Sequence, residues 1–107
     1  MTVKEIIEYT DKVRPNGFDL DTKLFWIDQV EGIIQSEIFR IPLESIKRVK
    51  GEGDTLSVPH PYAQIYSLYI ISMIELFLGD AAKYEVSAKA YNLALKSYAK
   101  LIARGGV

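Results

Sequence analysis

The residues that could support catalysis are few in this sequence and do not combine into a recognisable site. His60 is the only histidine, and it lies between Pro59 and Pro61. It has no serine or cysteine partner at the spacing of a nucleophile and its base. The chain contains no cysteine, which excludes disulfides and thiolate metal ligands. We therefore interpret His60 as a rigid turn residue or a helix cap.

The carboxylates and glycines do not indicate a metal or phosphate site either. Metal sites in helical bundles repeat a Glu-x-x-His motif, and no such motif is formed by Glu5, Glu8, Asp28, Glu31, Glu37 and Glu75. Gly51-Glu52-Gly53 lacks the lysine and the following helix of a phosphate-binding loop. We predict no enzyme activity, no metal and no cofactor. Glu75, within an apolar stretch, is expected to pair with a lysine or to lie at an exposed helix edge.

Basic side chains are concentrated in the second half of the chain. Residues 1–46 carry five basic and nine acidic side chains, whereas residues 47–107 carry eight basic and five acidic ones. The net charge of −1 gives no general attraction to nucleic acid or to a membrane. A solvated surface is the simplest interpretation of these charges. Opposed charge in the two halves would also help identical subunits meet head to tail.

Hydrophobic periodicity predicts an all-α protein with a single helical domain, residues 1–107. We expect a four-helix bundle, with one additional short helix as an option. The first helix runs from about Val3 to Val13 and begins with a capping box formed by Thr2 and Glu5. The second helix runs from about Thr22 to Phe39 and contains Gly32, which we interpret as room for a closely packed neighbour.

Two long C-terminal helices, 61–79 and 80–104, are predicted to follow an irregular loop at 42–60. Pro61 suits a first helical turn, where its missing N–H is not needed. The stretch from Tyr62 to Leu78 is apolar nearly all round, at the short limit of a membrane span of about 17 residues. Because it contains polar residues, we interpret it as a core helix and predict no membrane association. The glycines and charges of the loop indicate a mobile segment, and a loop of this length in so small a domain often carries function.

Apolar spacing also selects the candidate core. In the last helix, a set beginning at Tyr84 recurs at intervals of four and three residues, the seam spacing of a coiled coil. A second apolar set, which includes Val86 and Leu93, lies on another face, and its neighbour belongs either to this chain or to another subunit. The candidate core residues are Trp26, Val30, Ile34, Tyr69, Met73, Phe77, Tyr91, Leu95 and Tyr98.

Tyrosines and lysines supply the candidate interface. Tyrosine buries a large apolar body and keeps a polar tip, which suits a surface that becomes an interface. Packing between the last two helices of one chain explains the same tyrosines equally well. The candidate interface residues are Lys47, Arg48, Lys50, Tyr62, Tyr66, Lys89, Lys96 and Lys100.

Four stretches of sequence, taken in order, carry a resemblance to a known family. They are TVKEIIEYTDKVRPNGFD, TKLFWIDQVEGIIQSEI, LSVPHPYAQIYSLYIISMIELFLGD and AKYEVSAKAYNLALKSYAKLI. The most informative part is Val58-Pro59-x-Pro61-Tyr62, followed by a Gly-Asp turn and Tyr91-Asn92. This order resembles the small head–tail connector (adaptor) proteins of long-tailed bacteriophages and prophages. Ala63 and Glu85-Val86 depart from the family pattern, which has an acidic residue and asparagines there.

The resemblance implies a structural role without catalysis. Such proteins are wedge-shaped helical subunits that add to the portal ring of the phage head, as twelve copies by family analogy. They then present a surface to a tail-completion or stopper protein, while DNA passes through the lumen without sequence-specific binding. The protein would be made in the bacterial host cytoplasm and reside in the virion neck. The 42–60 loop would become ordered on docking.

The same resemblance suggests how the subunits meet. The last two helices would form the core and much of the wall between subunits, and the acidic second helix would face the lysines of the last helix. Two other classes stay open: a small helical interaction or regulatory module unrelated to virions, and a DNA-binding domain. Strong, salt-sensitive binding to duplex DNA would favour the last of these.

Overall fold

Four α-helices make up most of the chain, as the sequence predicted. The computed structural model describes residues 1–105, in which the helices are α1 (Val3–Val13), α2 (Leu20–Ile33), α3 (Gln64–Phe77) and α4 (Ala81–Ala103). Across this described range there is no β-strand, and one isolated antiparallel bridge joins Thr2 to Thr55. The all-α prediction is therefore confirmed.

Helix α2 is followed by a change of helix type near its predicted end. Asp19 caps its start by accepting a hydrogen bond from the Thr22 backbone N–H at 2.8 Å. The chain then continues as a π-helical turn, Ile34–Ile38, closed by a 3.1 Å bond from the Phe39 N–H to the Ile34 carbonyl. Helix α2 and the π-helical turn together end at Ile38, one residue before the predicted end at Phe39. A short 3₁₀ turn, Leu43–Ser45, follows and matches the optional short helix.

Helices α3 and α4 are joined by a tight turn at Gly79. Gly79 has a φ of +78°, and the next N–H, of Asp80, donates to the Glu75 carbonyl at 3.0 Å, closing the end of α3. The Asp80 side chain then caps α4 by accepting from the Lys83 N–H at 3.1 Å. Helix α3 begins three residues later than predicted, because 61–63 form a turn. Within residues 1–105, no helix is both long and apolar enough to cross a membrane.

Helix α3 is the central element, since α1, α2 and α4 all pack against it. Four predicted core residues are buried: Trp26, Val30, Ile34 and Tyr98. Four others are half-buried and pack against the core: Tyr69, Met73, Tyr91 and Leu95.

The prediction that Phe77 belongs to the core is wrong. Its side chain is 61% exposed. Phe77 lies in the last turn of α3, where one side of its ring stacks on Trp26 at a centroid distance of 5.9 Å. Most of the side chain is open to solvent, two residues before the turn at Gly79. Periodicity gives the direction of Phe77 from α3, but it does not show whether another segment covers the side chain at the end of that helix.

The irregular 42–60 segment is fastened to the rest of the molecule. The first N–H groups of α1 have no partner within the helix. Two of them are satisfied by this segment: Val3 donates to the Asp54 carbonyl and Lys4 to the Glu52 carbonyl, both at 3.0 Å. The Asp54 carboxylate also accepts from the Lys50 and Gly51 N–H groups. These bonds do not fit the expectation of a mobile loop that becomes ordered only on docking.

Gly32 is not a close-packing position, contrary to the interpretation of the sequence. A Cβ atom built there meets nothing within 4 Å. The glycine therefore gives α2 backbone freedom without any packing advantage, and a glycine inside a helix is unfavourable relative to alanine.

We predict that Gly32→Ala stabilises the protein. The free energy of unfolding should rise by about 0.5–1 kcal/mol, since alanine loses less backbone entropy in a helix. Gly79→Ala is the matched control, because a positive φ disfavours any side chain there. That variant should lose about 1–2 kcal/mol. Urea unfolding of both variants measures the difference, and a destabilised Gly32→Ala protein would show that Gly32 has a packing role after all.

Candidate functional site

The basic segment Lys47–Lys50 is held against α2 by side chains of that helix. The amide of Gln35 bonds to both backbone groups of Lys47, each at 3.0 Å. The Asp28 carboxylate accepts from the Arg48 guanidinium at 2.8 Å and 2.7 Å and from the Val49 N–H at 2.8 Å. The Arg48 charge is therefore engaged within the chain, whereas the side chains of Lys47 and Lys50 are exposed.

These contacts also determine the protonation of Asp28. Partial burial raises the pKa of its carboxyl, but the hydrogen bonds from Arg48 and Val49 lower it more. The pKa of Asp28 therefore lies below the ordinary value for aspartate.

Tyr66, predicted as an interface residue, is instead fully buried. Its hydroxyl donates to Glu31 at 2.6 Å and accepts from the Val58 N–H at 3.0 Å. Burial raises the pKa of Tyr66, and the neighbouring carboxylate raises it further, so the hydroxyl stays protonated and remains a donor. The interface assignment fails because the sequence does not show the buried partner that this tyrosine meets.

Glu31 is the centre of this buried polar group. Glu31 is only 4% exposed. Its carboxylate accepts hydrogen bonds from the backbone N–H and from the hydroxyl of Ser57. The Tyr66 hydroxyl is the third donor to this carboxylate, and the side-chain amide of Gln35, at 3.2 Å, is the fourth. We call Glu31, Gln35, Ser57 and Tyr66 the Glu31 network. It joins α2, α3 and the 42–60 segment.

Glu75 is a second buried carboxylate, and its surroundings differ from the prediction. It accepts from the Ser87 hydroxyl at 2.7 Å and lies 3.4 Å from the Arg14 Nε. The expected lysine partner is therefore wrong, as is the exposed helix edge, because Glu75 is only 5% exposed. Its contacts connect α1, α3 and α4.

A cleft of about 770 Å³ lies between α2 and the 42–60 segment. Glu31, Gln35, Lys47, Lys50 and Ser57 are among its lining residues. Its buried polar groups bond to one another, so they are structural. Among residues 1–105, no group of three or more histidine, aspartate or glutamate side chains is placed to hold a metal ion. His60 is exposed, outside this lining.

The remaining tyrosine candidates pack within the chain. Tyr62 is half-buried, with its ring 5.2 Å from that of Tyr98. Tyr69 and Tyr91 form an edge-to-face pair at 5.1 Å, and burial raises the pKa of Tyr91 to about 12. These contacts favour the interpretation of the tyrosines as packing between helices of one chain.

The outward side of α4 presents a different kind of surface. Lys89, Lys96 and Lys100 are exposed there, and two apolar side chains lie among them: Val86, 72% exposed, and Leu93, 61% exposed. Successive members of this set are three or four residues apart, which places them in one row along the helix. We call these five residues the outer stripe.

The outer stripe is basic and unpaired within the described chain. Across residues 1–105, none of its three lysines forms a salt bridge. Glu85 is the only acidic residue of α4. Sequence reasoning named the lysines and the apolar residues separately, and it missed that they alternate in one row. The signal is present in the sequence, because these five residues follow one another at intervals of three, four, three and four.

Comparisons with known proteins give no match for this chain. No family model matches the sequence, and neither a curated protein nor a solved structure matches it. The resemblance to phage connectors therefore rests on the sequence motifs alone.

We predict that Tyr66→Phe destabilises the protein by about 1–3 kcal/mol, because the Val58 N–H loses its acceptor and Glu31 loses a donor. Tyr69→Phe is the control, since its hydroxyl makes only a 3.3 Å contact with Gln29 at the surface. Its effect should stay within about 0.5 kcal/mol. Urea unfolding at pH 7 compares the two, and equal effects would refute the importance of the Glu31 network.

We predict a pH-dependent contribution from Asp28. A folded-state pKa below the ordinary value of about 3.9 means that the carboxylate stabilises the fold above that pH. The contribution is lost as pH falls through the lower folded-state pKa. The destabilisation caused by Asp28→Asn should therefore be largest near neutral pH and shrink in acid. Unfolding from pH 7 to pH 2.5 measures it, and a pH-independent difference would contradict the ion pair with Arg48.

Proposed function

We propose that this protein is a non-catalytic structural subunit of a phage neck. It would join the portal ring of the head to tail or tail-completion proteins, as a ring of identical subunits. The outer stripe of α4 is the observation that carries the proposal. Its exposed valine and leucine offer apolar area that a partner could bury, and the unpaired lysines beside them offer charges that the same partner could pair with.

The position of α4 supports this role. The helix has 23 residues and is therefore about 34 Å long. It packs mainly against α3, so its opposite side is available along most of that length. This side of α4 is therefore long and open enough to receive a portal or tail-completion protein, while other surfaces of the subunit would meet the neighbouring copies of the ring.

The structure weakens one part of the sequence-based hypothesis. The acidic second helix was expected to face the lysines of α4 between subunits. Of the carboxylates on α2, Asp28 is paired with Arg48 and Glu31 is buried. The exposed carboxylates that remain on this stretch are Asp21 and Glu37, the latter in the π-helical turn that follows α2. Charge attraction between α2 and α4 is therefore much smaller than the sequence indicated.

We predict that Lys89→Glu, Lys96→Glu and Lys100→Glu together block assembly but leave the subunit folded, because all three side chains are exposed. Light scattering measures the mass of the wild-type protein alone and mixed with the portal protein from the same genome. The wild type should join the portal at a defined stoichiometry, and the triple variant should not. Circular dichroism confirms that both are folded.

A control variant, Lys4→Glu with Lys12→Glu, reverses two exposed lysines on α1 and should assemble normally. Unchanged assembly by the triple variant would show that the outer stripe does not contact the portal protein. A tight dimer that ignores the portal would reject the virion role. It would favour the alternative, a helical interaction or regulatory module that uses the same surface.

A further inference from the structure

We propose that the outer stripe binds an acidic amphipathic helix that belongs to a different protein. This inference deepens the proposed function and rests on it in one respect: the acidic helix would come from a neighbouring neck protein. The spacing of the stripe residues, their positive charge and the absence of salt bridges to the three lysines within residues 1–105 favour such a helix as the partner.

The spacing of the stripe favours a helix as the occupant. Val86 and Leu93 are seven residues apart, and the intervals along the stripe alternate between three and four. This is the spacing at which one helix packs along another. From Val86 to Lys100 the stripe extends about 21 Å, or roughly four turns. A partner helix of similar length would cover both apolar side chains at once.

The charge of the stripe favours an acidic partner. Lys89, Lys96 and Lys100 have no salt-bridge partner among residues 1–105. Lys89 and Lys96 are the neighbours of Leu93 along the stripe, and Lys100 lies one turn further on, so a helix that contacts Leu93 also passes their ammonium groups. Glutamate or aspartate beside the partner's apolar residues would pair with these lysines. A basic or neutral helix would leave them unpaired as water is excluded.

A second copy of this chain does not offer such a helix. Asp11 is paired with Lys23 at 2.9 Å, and Asp28 is paired with Arg48. Glu31 and Glu75 are buried. In the part of the chain that the structure describes, α1 retains one exposed carboxylate without a hydrogen bond, Glu8, and α2 with its π-helical extension retains two, Asp21 and Glu37, which are 16 residues apart. Neither helix could pair with three lysines.

Duplex DNA fits the stripe less well than an acidic helix does. Phosphates would pair with the lysines, but they would leave Val86 and Leu93 against a polar, hydrated surface. These two residues are 72% and 61% exposed in the free chain, so a partner that covers them gains apolar burial that a phosphate backbone does not supply.

The test uses synthetic helical peptides and the full-length protein. The probe peptide has leucine at the two seam positions of each heptad and glutamate at the flanking positions. A scrambled peptide of the same composition and a peptide with lysine in place of glutamate are the controls. Fluorescence anisotropy measures the binding of each labelled peptide. The acidic amphipathic peptide should bind at least about tenfold more tightly than either control.

Variants of the protein localise the binding. Lys89→Glu with Lys96→Glu should weaken binding of the acidic peptide at least about tenfold, and Leu93→Ser should weaken it similarly. Lys4→Glu with Lys12→Glu makes the same change in net charge on α1 and should leave the affinity unchanged. Binding should also weaken as salt is added, because exposed charges are screened.

Four outcomes would overturn the inference. They are no binding of the acidic peptide, equal binding of the scrambled peptide, tighter binding of a short DNA duplex, and self-association of the protein that Leu93→Ser abolishes. The titration contains no portal protein, so its failure leaves the light-scattering result on the portal intact. Conversely, peptide binding without portal binding would reject the neck role and retain the acidic-helix site.

Discussion

The buried carboxylate of Glu31 is the constraint on which much of this fold depends. A charged group removed from water needs hydrogen-bond donors, and here they come from Ser57, Tyr66 and Gln35. Ser57 lies in the 42–60 segment and Tyr66 in α3. If either segment moved away from α2, the buried Glu31 carboxylate would lose hydrogen-bond donors. Removing one donor from such a network is therefore costly, although replacing the whole network by well-packed apolar side chains is often neutral for stability.

The central position of α3 has a consequence for the surface. Helix α3 buries side chains around most of its circumference, with α1 and α2 on one part and α4 on another. Helix α4 therefore has one main packing partner within the chain, and its outward side faces solvent. That side combines exposed valine and leucine with lysines, which distinguishes it from an ordinary solvated helix face. The proposals on assembly and on an acidic partner helix both follow from this asymmetry.

Local signals in the sequence predicted the helices well. The capping box of Thr2 and Glu5 and the Gly79-Asp80 turn placed helix ends correctly or within one or two residues. Both signals act through backbone hydrogen bonds made within a few residues, so their chemistry is visible in the order of residues. Loop 42–60 was harder, because its bonds are made to α1 and α2. Its glycines indicated mobility, whereas its backbone caps the first turn of α1.

By itself, the sequence determined the helical class, the approximate ends of the helices and the apolar residues from which the core is chosen. Only the tertiary structure decided that Tyr66 is buried, that Phe77 is exposed and that Gly32 has open space beside it. Periodicity gives the direction of a side chain from its own helix, but burial depends on whether another segment reaches that side chain. That contact is made between residues distant in sequence, so no local pattern records it.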